Sequence, residues 1–132
     1  MRQILFRGFN RKNNVWLYGF YLQNRKAHFV APDEFATDKT WEDYEIDPET
    51  LGQYTGLKDR NGKEIYEGDI VAVEYYRNHH IVYQSGIWAL ADADDGWMNI
   101  SDYDGNAEFS NKLDSLEVIG NIHDNPELLT ED

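Results

Sequence analysis

The fold is decided by residues 53–76, which read QYTGLKDRNGKEIYEGDIVAVEYY. The segment reverses direction near its middle, where Asp59, Asn61 and Gly62 lie close together in the sequence. These residue types tolerate a positive φ angle well, so Asp-Arg-Asn-Gly predicts a tight turn between two extended arms. We expect Gly62 to adopt a positive φ.

A second break follows at Gly68-Asp69, and a strand begins there. Residues 71–75 read Val-Ala-Val-Glu-Tyr, an alternation that is typical of a half-buried strand. It predicts that Val71 and Val73 point into the core. A Gly-Asp-Ile-Val entry into a strand is frequent in small SH3-like barrels, although the motif alone is a weak signal.

Residues 1–31 predict a β-hairpin followed by a third strand. Strand-forming residues occupy 4–6 and 15–22, and an Asn-rich turn separates them. A polar break then precedes residues 27–31. This third strand stops at Pro32, because proline removes a backbone donor from the ladder.

The rest of the chain predicts short strands and little helix. Residues 33–45 show no sustained period and are interpreted as a loop or an irregular short helix. Asp47-Pro48-Glu49 and Asn125-Pro126-Glu127 each place a capping side chain before a proline, which predicts a short helical turn. Short apolar runs predict the remaining strands, at residues 81–83, 87–91, 97–100 and 116–122.

These elements predict a mainly β fold, in which antiparallel strands form a partly open, SH3-like small barrel with an N-terminal hairpin and one or two short helical turns. The length is that of a single domain, residues 1–132. Within it, residues 1–31 form the hairpin region and residues 53–123 the barrel region with the Gly-Asp-Ile-Val motif. The turn residues expected to define this fold are Gly56, Asp59, Asn61, Gly62, Gly68, Asp69 and Gly120.

The composition excludes several classes of protein. Hydrophobic residues make up 41% and aromatic residues 14% of the chain, so it should fold despite a formal net charge of -13. The absence of cysteine excludes disulfides, thiolate zinc sites and cysteine nucleophiles. No apolar run approaches the roughly 20 residues that span a bilayer, and the N-terminus does not resemble a signal peptide. We therefore expect a soluble, cytoplasmic protein without a membrane partner.

The charge is placed unevenly along the chain. Residues 1–66 hold ten basic and ten acidic side chains, whereas residues 67–132 hold two basic and fifteen acidic ones. At long range such a chain repels duplex nucleic acid and anionic membranes, although a local basic segment can still contact a phosphate within a Debye length of about 8 Å. We therefore do not expect nucleic acid to be a partner.

Four motifs follow one another along nearly the whole chain: Met-Arg-x-Ile-x-Phe-Arg at residues 1–7, GQYTGLKD with Asn-Gly at 52–62, IYEGDIV at 65–71, and EVIGNI with NPELL at 117–129. In this ordered set the chain resembles the YopX family, small proteins encoded largely by bacteriophages and prophages. One departure is Gly8-Phe9, which stands where a small residue and Trp are more usual.

The resemblance implies a β-rich fold around a partly open barrel and a location in the cytoplasm of a bacterial host. It implies no reaction, because the family has no established activity. It also offers no catalytic residues to carry over to this sequence.

No motif in the chain matches a metal or catalytic site. Asp102-Tyr103-Asp104 has acids at alternate positions, but a calcium loop needs Gly at its sixth position and Glu at its twelfth, where this chain has Ala107 and Leu113. His79 and His80 are adjacent, so on a strand they point to opposite faces. We expect no metal, no cofactor and no enzymatic activity.

Nineteen aromatic residues are more than a small open barrel covers easily. On the strand at 15–22, alternate residues from Trp16 to Phe20 form one apolar face and those from Val15 to Tyr21 form the other. One of these faces is a candidate for covering by a partner, and the alternative is a core that uses large residues to fill a small fold. The expected partner-binding residues are Arg7, Arg11, Lys12, Trp16 and Tyr18.

Three hypotheses for the function remain. The leading one is a non-catalytic phage or prophage accessory protein, a β-barrel adaptor that binds a host or phage protein or a second copy of itself. A basic rim on the acidic half of a neighbouring subunit would give an assembly that raised salt weakens. The second is a nucleic-acid-binding module using the basic hairpin from Arg7 to Lys12. The third is a hydrolase using acidic residues of 92–108, which rests on composition alone.

Overall fold

The structure, a computed structural model, describes residues 5–34, 36–94, 96–105 and 111–130. Strands dominate this part of the chain. In chain order the elements are β1 (Phe6–Asn10), β2 (Val15–Asn24), β3 (Ala27–Ala31), a 3-10 helix (Trp41–Asp43), β4 (Asp47–Lys58), β5 (Glu64–Tyr66), β6 (Asp69–Val73), β7 (His79–Gln84), β8 (Ile87–Ala91), β9 (Trp97–Asn99), α1 (Ile100–Tyr103), β10 (Leu116–Asn121) and a second 3-10 helix (Pro126–Leu129).

The strands form two five-stranded sheets with the orders β3-β2-β1-β4-β5 and β10-β6-β7-β8-β9. Their pairing is antiparallel, as in the β1–β2 and β7–β8 hairpins. The predicted mainly β, antiparallel fold is therefore confirmed. The sheets do not close into a barrel, and the SH3-like character stays a prediction.

The chain divides into two compact units, Met1–Tyr54 and Thr55–Asp132. In the first unit β2 is long enough to pair with β1 along its first half and with β3 along its second half. The segment before β4 then binds the outer edge of β3, because the Val30 N–H donates to the Tyr44 carbonyl at 3.0 Å and the Ile46 N–H donates to the His28 carbonyl at 2.9 Å. The organisation as a single domain with regions 1–31 and 53–123 stays a prediction.

The second unit has the larger apolar core. Val71 and Val73 of β6 point into it, as their alternation predicts. Side chains from four other strands and from the α1 helix meet them there. The buried members of this core are Ile65, Val71, Val73, Ile81, Leu90, Ile100, Leu113 and Leu116.

The turn predicted at Asp59 is held by a single buried carboxylate. One Asp59 carboxylate oxygen accepts the backbone N–H groups of Asn61 (2.8 Å) and Lys63 (2.9 Å), and the other accepts the N–H of Val118 on β10 (2.9 Å). Gly62 has a φ of 82°, as expected for this turn. The same aspartate therefore shapes the turn and fastens it to a strand far away in the sequence.

The remaining predicted turn residues have varied roles. Gly68 has a φ of 91°, and the next side chain, Asp69, accepts a backbone N–H three residues earlier at 2.8 Å. Gly120 lies beside the Asn125 side chain, where an added Cβ would come within 2.6 Å of its oxygen. Gly56 lies inside β4 rather than in a turn, although its φ of 84° is one that glycine favours.

The helical turn predicted at Asp47-Pro48-Glu49 is wrong, because these residues begin β4. Asp47 pairs with Phe9 of β1, and the register shifts before the pairing resumes at Gly52. Pro48 lies in this irregular stretch, where a missing backbone donor breaks no regular ladder. Pairing with β1 thus outweighs the local helix signal.

Two other boundaries differ from the sequence prediction. Ile100 begins α1 instead of ending a strand, since the Asn99 side chain accepts the Ser101 N–H at 2.8 Å and caps the helix. Tyr75 does not continue β6, because its φ of 70° turns it out of the strand. The second predicted helical turn is confirmed at Pro126–Leu129, and with α1 and the 3-10 helix at Trp41–Asp43 the helical segments exceed the one or two expected.

Candidate functional site

One face of β2 carries a row of large apolar side chains that extends onto β1. We call this row, made of Phe9, Trp16, Tyr18, Phe20 and Leu22, the hairpin aromatic face. Alternate residues of β2 share a face, and Phe9 joins them because it pairs with Trp16. Tyr18 is 53% exposed and Leu22 is 43% exposed. The face therefore presents apolar surface to solvent in the first unit.

Trp16 is held in place from within its own hairpin. Its ring packs edge-to-face on Phe9 with the centroids 5.5 Å apart, and the Arg7 guanidinium carbon lies 4.9 Å from the Trp16 ring centroid. Arg7 is only 6% exposed. Of the predicted partner-binding residues, Arg7 thus supports Trp16 from below the surface, and Tyr18 is the more accessible aromatic side chain.

The opposite face of the hairpin is partly covered within the first unit. Ile46 packs so closely on Gly8 that an added Cβ there would lie 2.5 Å from the Ile46 methyl carbon. Tyr21 stacks on His28, and its hydroxyl lies 2.6 Å from the His28 Nδ1 atom. This second apolar face consequently has intramolecular neighbours that sequence patterning did not reveal.

A small pocket lies at the Leu22 end of the hairpin aromatic face. Its volume is about 220 Å³, and its lining is formed by Leu22, Gln23, Asn24, Phe29 and Trp41. Trp41 comes from the 3-10 helix and meets Phe29 edge-to-face with centroids 5.2 Å apart. The sequence did not predict this pocket, because Trp41 lies in a segment without a sustained hydrophobic period, which indicates a loop or an irregular short helix. A lone Trp in a polar loop was the available signal.

The predicted basic rim is neutralised by nearby carboxylates. Arg11 donates from two nitrogens to one Asp47 carboxylate oxygen, at 3.1 and 2.5 Å. The Lys12 ammonium lies 3.1 Å from Asp43 and 3.8 Å from Glu42. These pairs border a shallow cleft of about 490 Å³. Arg11 and Lys12 are thus each paired with acids rather than forming a free basic patch.

Asp43 is the best-anchored of these acids. Its carboxylate accepts the Thr40 backbone N–H at 2.9 Å, the Asn13 side-chain amide at 3.0 Å and the Lys12 ammonium at 3.1 Å. The Thr40 hydrogen bond, followed by those from Asn13 and Lys12, holds the pKa of Asp43 well below its ordinary value. The carboxylate therefore stays charged at any physiological pH.

A second pair of cations, Arg25 and Lys26, has no carboxylate partner among the residues that the structure describes. They form the two-residue turn between β2 and β3, next to the pocket residues Gln23 and Asn24. Arg25 takes a φ of 58°, and its carbonyl accepts the Gln23 side-chain amide at 3.3 Å. The sequence marked this turn only as a polar break.

Comparison with known families settles the classification. The family model described as YopX protein matches residues 5–130. The chain belongs to the YopX family. The resemblance drawn from the four sequence motifs is thereby confirmed.

The structure of this YopX-family protein is similar to one that has been solved. The crystal structure of protein EF1440 from Enterococcus faecalis matches with a TM-score of 0.56 and 27% sequence identity, covering 98% of this chain and 99% of that chain. No curated protein matches the sequence. Among the described residues, no helix is long and apolar enough to cross a membrane.

In this YopX-family protein the described acids of the 92–108 region do not assemble into a site. One Asp92 carboxylate oxygen accepts the N–H groups of Asp94 (2.9 Å) and Gly96 (3.0 Å). The hydrogen bond from Asp94 contributes most to lowering the pKa of Asp92. Asp94 pairs with Arg77 at 2.7 Å. Asp95 and residues 106–108 lie outside the described residues. Within the described ranges, no group of three or more His, Asp or Glu side chains is arranged to hold a metal ion.

The two adjacent histidines also lack the geometry of a shared site. His79 is buried with its Nδ1 atom 2.7 Å from the Arg77 carbonyl, whereas His80 points to the other face of β7. Burial lowers the pKa of His80, and the neighbouring His79 lowers it further. Each ring thus has its own environment, and the pair offers no common ligand set.

Proposed function

We propose that this YopX-family protein is a non-catalytic accessory protein of phage or prophage origin, acting in the cytoplasm of the bacterial host. Its role is to bind another protein through the hairpin aromatic face of the first unit. The observation that carries this proposal is the exposed apolar row on β2, where Tyr18 and Leu22 face solvent and Leu22 lines a pocket together with the exposed Trp41.

The chemistry of this row suits a protein partner. Tyr and Trp are enriched where proteins meet, because each buries about 150–250 Å² while losing little rotamer freedom. Tyr18 and Trp41 are about half exposed in the free protein, so a partner can remove substantial apolar area from water. Trp16 is already fixed by Phe9 and Arg7, which reduces the entropy lost when a partner docks.

Nucleic-acid binding through the hairpin has less support. Arg11 and Lys12 are engaged by Asp47, Asp43 and Glu42, so a phosphate would have to displace those carboxylates. The net charge of -13 opposes the approach of a polyanion as well. A hydrolase based on the 92–108 acids has no converging carboxylates among the described residues to support it.

The test is affinity capture from a lysate of a bacterium that carries the corresponding phage or prophage. The tagged wild-type protein and the Tyr18→Glu variant are compared, with and without nuclease treatment. Tyr83→Glu is the matched control, because Tyr83 is 55% exposed on a strand of the second unit.

We expect one protein captured in stoichiometric amount by the wild type and by Tyr83→Glu, lost with Tyr18→Glu and unaffected by nuclease. Capture that disappears after nuclease treatment would favour the nucleic-acid alternative. Equal capture by all three proteins would reject the hairpin aromatic face as the binding surface.

A further inference from the structure

We propose that the pocket at the Leu22 end of the hairpin aromatic face binds an extended, acidic segment of a partner protein, anchored by one large apolar side chain. This inference rests on the proposed function and specifies the ligand of the same surface. Its two elements are the apolar lining of the pocket and the two cations of the turn beside it, Arg25 and Lys26, which have no carboxylate partner in the described part of the chain.

The pocket has the size and lining for a side chain. Ligand and cofactor sites usually enclose about 300–1,000 Å³, whereas this pocket holds about 220 Å³. Phe29 forms a buried apolar floor, while Leu22 and Trp41 form exposed apolar walls. Gln23 and Asn24 add amide groups at the rim, where they can bond the backbone of a bound chain.

The positive charges of Arg25 and Lys26 next to the pocket favour a ligand that carries carboxylates. Arg25 and Lys26 lack carboxylate partners among the described residues, whereas Arg11 and Lys12 at the other end of the hairpin are paired. Glu42, which follows Trp41 in the 3-10 helix, is countered by Lys12 at 3.8 Å. A carboxylate on a ligand can therefore form new ion pairs at this turn without displacing existing ones.

The strand geometry favours an extended ligand. On β2 the side chains that share the hairpin aromatic face, from Leu22 back to Tyr18, are spaced two residues apart. The side chains on one side of an extended peptide have the same spacing. A peptide with its anchor in the pocket can place its next same-side residue over this row. The pocket and the hairpin aromatic face would thus bind neighbouring same-side residues of one peptide.

The whole-chain charge limits where the acids of the ligand lie. A net charge of -13 repels acidic partners at long range, so only carboxylates within a Debye length of about 8 Å of Arg25 and Lys26 gain from them. The expected ligand is consequently a short segment with its acids adjacent to the apolar anchor, rather than a uniformly acidic surface.

The experiment is a selection on the full-length protein with a displayed library of random peptides of about ten residues. The most enriched peptide is then synthesised with a fluorescent label, and its Kd is measured by anisotropy. The variants are Trp41→Ala, which opens the pocket wall, and Lys26→Glu, which reverses one charge of the turn.

Matched controls exist in the second unit. Trp97→Ala removes a tryptophan of the same exposure as Trp41, and Lys63→Glu makes the same change in net charge as Lys26→Glu. We expect the selected peptides to share a large apolar residue with acids beside it. Trp41→Ala and Lys26→Glu should each weaken binding at least about tenfold, and the controls should change it less than about twofold.

The other outcomes separate the inference from the proposed function. Peptides that lose affinity with Trp41→Ala but respond equally to Lys26→Glu and Lys63→Glu would reject the acidic ligand and leave the binding face intact. Peptides indifferent to Trp41→Ala, or no enrichment at all, would reject the pocket, while lysate capture sensitive to Tyr18→Glu would still uphold the face. Self-association of the wild type that Trp41→Ala abolishes would identify a second copy as the occupant and overturn the inference.

Discussion

The side chain of Asp59 holds the turn that decides the fold. Its carboxylate accepts three backbone N–H groups while only 1% of the residue is exposed. Asp59→Ala would leave these three part-buried N–H groups without their acceptor, and each hydrogen bond to a charged group contributes about 1.5–3 kcal/mol. We expect a loss of about 2–4 kcal/mol in the free energy of unfolding, measured by urea denaturation.

Two further variants check the cause of that loss. Asp114→Ala, at an exposed aspartate of the same unit, should change the stability by less than about 0.5 kcal/mol. Asp59→Asn keeps one acceptor oxygen but turns an amide N–H towards another donor, so its stability should lie between wild type and Asp59→Ala. Equal stability of Asp59→Ala and the wild type would show that the turn does not depend on this carboxylate.

Two glycines with positive φ differ in what surrounds them. An added Cβ at Gly19, where φ is 154°, would lie 2.2 Å from the backbone oxygen of Ala31, whereas at Gly62 it would meet nothing within 4 Å. Gly62→Ala should therefore lower the free energy of unfolding by about 1 kcal/mol through backbone strain alone. Gly19→Ala should cost more than about 2 kcal/mol, because β3 must also move. Chemical denaturation of both variants tests this order, and equal losses would contradict it.

At the scale of elements, neighbouring positions of β6 differ in burial, since Val71 is fully buried whereas Ala72, on the opposite face, is half-buried. Val71 is fully buried in the core of the second unit, so Val71→Asp places an unpaired charge there and should cost about 3–5 kcal/mol. Ala72→Asp carries the same charge on the opposite face and should cost about 1 kcal/mol. Thermal melting of the two variants provides the comparison. A larger loss for Ala72→Asp would reverse the assignment of the faces.

The 3-10 helix at Trp41–Asp43 gives the first unit a pH-sensitive anchor. Hydrogen bonds from Thr40, Asn13 and Lys12 lower the pKa of Asp43, so the unfolded chain takes up its proton at a higher pH than the folded one. The stabilisation is complete above the ordinary pKa of a carboxyl group, about 4, and is lost as the pH falls towards the folded value.

Asp43→Asn should accordingly lower the melting temperature at pH 7, and the difference from wild type should shrink as the pH falls below about 4. Asp38→Asn, at an exposed position in the preceding loop, should have little effect at either pH. Melting curves recorded across this pH range test the sign. A difference that grows on acidification would contradict the role assigned to Asp43.

The strands were predictable where pattern and turn chemistry agree. The alternation after Gly68 and the Asn-rich turn before β2 both specify their structure locally, and the structure confirms them. Asp47-Pro48-Glu49 gave a wrong helix prediction although its capping hydrogen bond forms, since the Asp47 carboxylate accepts the Glu49 N–H at 3.1 Å. That local bond coexists with strand pairing to β1, which no short-range pattern can reveal.

The candidate site was less predictable because its properties depend on distant residues. That Trp16 and Tyr18 share a face can be predicted from the alternation along one strand. The ion pairs cannot, because Arg11 and Asp47 are 36 positions apart in the sequence. Lys12 and Asp43 are 31 positions apart. A basic run in the sequence therefore becomes a set of ion pairs in the fold. The pocket likewise needs β2, β3 and the 3-10 helix to be brought together before Trp41 can meet Phe29.

At the scale of the whole molecule, nearly all of the net charge belongs to the second unit. Residues 1–54 contain seven basic and eight acidic side chains, whereas residues 55–132 contain five and seventeen. Copies of the protein should therefore repel one another most strongly at low salt, where the Debye length is about 30 Å at 10 mM and charges act over the whole molecule.

This repulsion makes the salt dependence of any self-association informative. A basic rim binding the acidic half of a second copy would give a dimer that salt dissociates, but Arg11 and Lys12 are already paired within one chain. We expect sedimentation velocity at micromolar concentration to show a monomer at about 10 mM salt, and no dimer that dissociates as salt rises to about 150 mM. Tyr18→Glu is the suitable probe of the hairpin, because Trp16→Glu would also break the packing on Phe9 and Arg7. A dimer at low salt that is lost both with Tyr18→Glu and with added salt would contradict this expectation. It would show that the protein self-associates electrostatically through the hairpin, although Arg11 and Lys12 are paired within one chain.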